Sequence, residues 1–194
     1  PGNVIVDLLA TDVRVDWRAP LRLALLPGSR ERAYDDARRL AAVVAALRER
    51  AGRLDAVLSI APHLDPARFA PALAAGALRP WRGPLGAVLH DATLALGQSG
   101  TANEAAAAQG LPVVALELLD APRNAWYRRR QAGLLGEALL VVPGEPERAA
   151  EAIAALLADP ARRARMGAAG RARMGGPGGA AAIAAAIVAL AGAA

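Results

Sequence analysis

TLALGQSGTANEAAAAQGLPVVALEL, residues 93–118, is the stretch on which the fold turns. TLALG (93–97) is a short apolar run of the kind that forms a buried strand, and LPVVALEL (111–118) is another. Between them residues 101–109 carry an Ala-rich helical pattern that stops at Gly110. A helix used as the connection between two strands is the mark of a parallel pair, since antiparallel neighbours need only a tight turn.

The same alternation extends in both directions. LRLALL (21–26) reads as a strand closed by Pro27-Gly28. Residues 32–53 turn helical, with Leu40, Val43, Val44 and Leu47 on one stripe flanked by arginines. LDAVLSIA (54–61) is a strand stopped by Pro62, residues 65–76 are helical, and RPWRGP (79–84) reads as a Pro/Gly loop. GAVLHDA (86–92) gives one or two helical turns. Residues 124–135 form a helix ended by Gly136, ALLVV (138–142) is the fifth strand, and helices follow over 145–158, 160–170 and 178–191. The strands are continuous apolar runs, so both sheet faces are covered. The expectation is an α/β fold, a doubly wound parallel sheet of Rossmann-like type, forming a single domain over residues 1–194.

Composition narrows the chemistry. Hydrophobic residues make up 55% of the 194 and aromatics only 3%, so the core must rest on Leu, Val, Ile and Ala. There is no cysteine and only two histidines, His63 and His90, which disfavours a transition-metal site. The net charge is +5 and every basic residue is Arg. High-GC codon usage accounts for that, and so does phosphate binding, since Arg grips phosphates bidentately. Aromatics do not interleave with the arginines, so no nucleic acid partner is expected. The N-terminus lacks a basic region, so no signal peptide is expected, and it lacks an initiator Met, as a fragment would. The apolar tail after residue 178 is short and Ala-dominated, and a packed terminal helix is expected there.

In a doubly wound sheet, ligands bind at the carboxyl ends of the strands, and three polar clusters fall at such ends. PGSR (27–30) offers a turn at Gly28, a helix-capping hydroxyl at Ser29 and a fork of donors at Arg30; a plain capped turn explains it equally well. GQSGTANE (97–104) sets Gly97 and Gly100 beside Ser99 and Thr101, where a helix N-terminus would favour a phosphate. Thr101 and Glu104 also make a T-x-x-E capping box, which explains those two residues but not the glycines. The third cluster, residues 120–136, concentrates Arg123, Arg128, Arg129 and Arg130 near Asn124 and Gln131; a solvated helix face covers most of these arginines. His63 sits at the second strand's end, and Asp35-Asp36 reads as helix surface. A P-loop is excluded because the chain has no Lys, and no G-x-G-x-x-G follows the first strand. Gly97-Gln98-Ser99-Gly100-Thr101 lacks the last glycine of a nucleophile elbow.

Taken in order, PGNVIVDLL (1–9), LLPGSR (25–30), SGTANE (99–104) with GLPVV (110–114), RRQAGLLGEALLV (129–141) and RARMGGPGGAAAIAAAI (171–187) resemble blocks of the lipid-A-disaccharide synthase and synthase-related family. The family's hinge motif is G-N-P, and here it reads G-N-V. The resemblance covers nearly the whole chain and implies the C-terminal, donor-binding half of a GT-B glycosyltransferase. Residues 1–20 are then the hinge segment, and residues 171–194 a terminal helix that packs back on the missing N-terminal half.

What the resemblance implies for function is a metal-independent, inverting transfer from a nucleotide-sugar donor, a UDP-sugar, with no cofactor. Gly28, Ser29 and Arg30 would lie against the donor phosphates, with Arg30 stabilising the leaving group. Ser99, Gly100 and Thr101 would hold the diphosphate, Glu104 the ribose hydroxyls, and Gln131 would approach the sugar. Residues 79–83 correspond to the loop near the base. The base that activates the acceptor would lie on the absent acceptor half, so this chain alone would transfer nothing. The expected location is cytoplasmic, with any contact with the inner membrane face peripheral and made through that other half. The same architecture serves UDP-sugar epimerases, and a non-catalytic Rossmann-like binding module is the remaining alternative.

Overall fold

The computed structural model describes residues 2–98, 100–118 and 122–192. The apolar runs become strands β1 (Leu21–Leu26), β2 (Leu54–Ser59), β4 (Leu94–Gly97), β5 (Val113–Glu117) and β6 (Leu139–Pro143), joined by a short strand β3 (Arg79–Trp81). They form one parallel six-stranded sheet in the order β3-β2-β1-β4-β5-β6. Helices α1 (Ala33–Ala51), α2 (Ala70–Ala75), α3 (Leu85–Leu89), α4 (Gly100–Ala108), α5 (Pro122–Leu135) and α6 (Pro146–Ala158) fill the connections, followed by α7 (Pro160–Met174) and α8 (Gly179–Gly192). The chain is a Rossmann-like α/β fold.

Alternation along each strand divides the core into two layers. Leu23 and Leu25 of β1, Leu94 and Leu96 of β4, and Val114 and Leu116 of β5 meet Leu40, Val44 and Leu47 of α1 and Ile153 of α6. On the other face Ala24, Leu26, Ala95 and Val113 meet Ala105 and Ala106 of α4, with Val88 and Leu89 of α3. α1 and α4 therefore lie on opposite faces of the sheet, and both follow its two central strands.

Three local expectations are corrected. Residues 79–84 do not form only a loop: Arg79–Trp81 adds an edge strand to β2. Pro80 is tolerated because an edge strand has one side with no ladder to join. The Arg79 side chain anchors this strand, donating from Nε to Asp55 Oδ1 at 3.0 Å and from a terminal nitrogen to Asp55 Oδ2 at 2.6 Å. Asp36 is not helix surface; it is only 6% exposed, while Asp35 is exposed. Helix α1 begins at Ala33 with Arg32 at its N-cap and no side-chain cap, so Ser29 does not cap it.

The N-terminal segment forms a 3-10 helix, Val4–Leu8, capped by Asn3. It lies against α4 and α8. α8 exposes Ile183, Ile187, Val188 and Leu190, and Gly179 is its one buried position among the described residues. Residues 160–192 hold the stretch apolar enough, by composition, to cross a membrane, but Gly175 and the residues after it divide that stretch into α7 and α8.

Candidate functional site

The strand order reverses between β1 and β4: α1 leads outward to β2, whereas α4 leads the opposite way to β5. Two connections diverging from adjacent strands open a crevice at their carboxyl ends, the topological switch point. The two loops flanking it are PGSR and GQSGTANE, the clusters singled out from sequence. Gly28 turns the chain with φ +111°, a conformation that strains any side chain. Ser29 and Arg30 are exposed beyond it. The loop is held by His63, whose Nε2 lies 2.7 Å from the Ser29 carbonyl oxygen and so carries the donated proton. The two loops are tied together by the Gln98 N–H, which donates to the Leu26 carbonyl at 3.0 Å.

Helix α4 opens directly onto this crevice. Gly100 and Thr101 are exposed at its first turn, where backbone N–H groups have no acceptor within the helix and favour an anion. Thr101 lies inside the helix rather than at its cap, so the T-x-x-E capping box is not formed. Glu104 is half-buried, and its Oε2 accepts instead from Asn3 Nδ2 at 3.2 Å. Ser99 lies outside the described residues, as do the side chains of Arg123 and Asn124.

Behind the helix start lies a buried polar cluster: the sequence pattern points to Gln131 and Arg128, but not to Asn103 or to their meeting. Asn103 is fully buried; its Nδ2 donates to Gln131 Oε1 at 3.1 Å and, more weakly, to the Gly97 carbonyl at 3.4 Å. Gln131, 7% exposed, stands beside the start of α4: its Nε2 would be 3.6 Å from a Cβ at Gly100. Gln98 Oε1 accepts from the Leu116 N–H at 3.3 Å and from Arg128. Arg128 is half-buried, and burial pushes its guanidinium below the usual arginine range; the nearby Arg32 cation pushes the same way, and the fields of Asp36 and Glu117 offset part of it. Asn103 Oδ1, Gln131 Nε2, Gln98 Nε2 and Arg128 Nε are buried without hydrogen-bond partners. Unpaired buried polar atoms are costly and mark places where a further group is accommodated. Arg129 and Arg130 are exposed, as a solvated helix face would be. The signal that could have separated Arg128 from them is its spacing of three residues from Gln131, which sets both on one side of α5.

The loops after β2 and β3 leave the sheet at the same carboxyl edge. Trp81 Nε1 donates to the Pro84 carbonyl at 3.0 Å, and an Arg82 terminal nitrogen to the Pro62 carbonyl at 2.9 Å. A separate groove lined by Glu137, Leu139, Leu140, Arg162, Arg165 and Met166 lies at the amino end of β6, opposite the crevice.

No family model matches the sequence, and no curated protein matches it. Solved structures do resemble it. A protein from Listeria monocytogenes assigned as a UDP-N-acetylglucosamine 2-epimerase superposes over 96% of this chain with a TM-score of 0.67 and 23% identity. The calicheamicin glycosyltransferase CalG4 covers 92% with a TM-score of 0.55 and 23% identity. The UDP-GlcNAc 2-epimerase of Neisseria meningitidis, solved bound to UDP-GlcNAc, covers 82% with a TM-score of 0.52 and 15% identity. This chain corresponds to 51%, 46% and 40% of those chains, respectively, so it spans about half their length. The likeness establishes the fold: a Rossmann-like α/β fold of the kind found in GT-B glycosyltransferases and UDP-GlcNAc 2-epimerases.

Proposed function

We propose that this chain binds a UDP-sugar across the carboxyl ends of β1 and β4, as the donor half of a metal-independent, inverting glycosyltransferase. The observation that carries the reading is the open N-terminus of α4 at the switch point, backed by a half-buried Arg128 and unpartnered Gln131 and Gln98 amide nitrogens. Helix N–H groups and Arg cations are what a diphosphate requires. The diphosphate lies against Gly28, Ser29 and Arg30 on one side and Ser99, Gly100 and Thr101 on the other. Glu104 accepts from the ribose diol, and Gln131 faces the sugar. Arg30 and the helix N-terminus then stabilise negative charge as the nucleotide leaves, which is electrostatic preorganisation. The base that removes the acceptor's proton belongs to a second domain. The exposed Ile183, Ile187 and Leu190 stripe of α8 suits packing against such a domain. The motif resemblance carries the finer assignment to the lipid-A-disaccharide synthase-related group.

The test is calorimetric titration with UDP and UDP-sugars. Binding that weakens in Arg30→Ala and Glu104→Ala, and weakens as salt rises, supports the reading. No binding, or binding indifferent to Glu104→Ala and to salt, refutes it.

The higher TM-score against the Listeria protein supports a second reading, a UDP-sugar epimerase domain. Product analysis on the longer protein separates the two. Epimerisation inverts a sugar carbon and keeps the nucleotide attached, whereas transfer releases UDP with the sugar on an acceptor.

A further inference from the structure

Glu104 is reached from the far end of the chain. We propose that Asn3 is a positioning residue for the Glu104 carboxylate, setting the oxygen that meets a ligand's ribose diol; this rests on the proposed reading of the site. The chemistry on both sides of the Asn3 amide determines its orientation. Its Oδ1 accepts from the Ile5 N–H at 3.0 Å, a group that can only donate. Its Nδ2 therefore faces Glu104 Oε2, at 3.2 Å, which as a carboxylate oxygen accepts. Oε2 is thereby engaged, and no described residue donates to Oε1, which stays available to a hydroxyl.

Asn3 is itself held. Its N–H donates to the Met174 carbonyl at 2.7 Å, and the Gly2 N–H donates to the Gly176 carbonyl at 3.0 Å. Four residues on, the Asp7 carboxylate accepts from the Gly178 and Ala180 N–H groups at 2.6 and 2.8 Å, which holds it below the usual carboxylate range. The segment is thus pinned at two points to the junction between α7 and α8, and Asn3 carries that placement to Glu104. A shift of α8 relative to α4 is transmitted to the ribose ligand through one amide.

Asn, Asp and Ser cap helical turns about equally well, so substitution separates capping from positioning. Asn3→Ser keeps the cap for Ile5 and removes the donor to Glu104. Asn3→Asp keeps the cap and sets a second carboxylate against the first. UDP and 2′-deoxy-UDP are titrated into the full chain and into each variant, alone and combined with Glu104→Gln, with urea unfolding in parallel. The expected result is a loss of UDP affinity of about fivefold for Asn3→Ser, a larger loss for Asn3→Asp, and neither loss in the Glu104→Gln background. The losses shrink with 2′-deoxy-UDP, and unfolding midpoints stay with the parent's. UDP binding that depends on Glu104 but is unchanged in both Asn3 variants overturns the positioning role alone. Equal losses with and without Glu104 overturn it too. Absence of UDP binding to the parent chain overturns the reading of the site and the role of Asn3 with it.

Discussion

Replacing Gly97 with Ala tests how the crevice is built. A Cβ at this position would lie 2.1 Å from Asn103 Oδ1 and 3.2 Å from Leu26 Cβ. The first distance is far inside van der Waals contact, and Asn103 has no room to retreat because it is fully buried. Either its amide moves, giving up the bonds to Gln131 at 3.1 Å and to the Gly97 carbonyl at 3.4 Å, or β4 moves away from β1. Overpacking a core position costs about 1–3 kcal/mol. A lost buried hydrogen bond adds about 1 kcal/mol. The sum is a destabilisation of about 2–4 kcal/mol. Urea unfolding of the parent, Gly97→Ala, Asn103→Ala and the double variant measures it. The double variant should be more stable than the sum of the singles by about 1–3 kcal/mol, because shortening Asn103 clears the space the new methyl needs. A cost below about 0.5 kcal/mol for Gly97→Ala, the range of an indifferent surface change, or strict additivity of the pair would refute the close contact.

Arg128→Met should lower UDP affinity about tenfold, the loss of one charge-assisted contact, while the urea midpoint holds or rises; a destabilised protein with unchanged UDP binding contradicts this. Arg79→Met strips the partner from Asp55, which is buried with 7% exposure, and should cost about 2–4 kcal/mol in urea, much of it recovered by adding Asp55→Asn. Burial pushes the Asp55 carboxyl up, but the Arg79 guanidinium and the Arg18 N–H outweigh it and hold it below 3.8. Its contribution is therefore present above 3.8 and lost as pH falls through the lower folded value, so Asp55→Asn should flatten the acid limb of the stability profile. Asp36 runs the other way. Burial raises its carboxyl above 3.8 against the pull of Arg32, Arg39 and Arg128. Its stabilisation is present below 3.8 and lost as pH rises through the folded value, and Asp36→Asn should remove that loss.

The sequence by itself determined the layered fold and the location of the crevice. LRLALL, LDAVLS, LALG and VVALE are apolar on both faces, which only a covered parallel sheet accommodates. The glycines and polar residues after the first and fourth strands of the sheet mark its carboxyl edge at the switch point. Tertiary structure decided what local patterning does not encode. Arg79–Trp81 is a three-residue strand containing proline, and it exists because β2 offers an open ladder and Asp55 holds Arg79. Asp36 and Asp35 are neighbours of one type, and only the packing around α1 buries one and exposes the other. Asn103 reads as an ordinary polar helix residue until α5 brings Gln131 against it. Thr101 and Glu104 satisfy a capping pattern, yet α4 starts before Thr101 and Glu104 turns to Asn3, 101 positions away in the chain. Periodicity and capping signals report interactions within a few residues. A hydrogen bond across that separation depends on where the sheet and its helices place the two groups, and that is known only once the chain has folded.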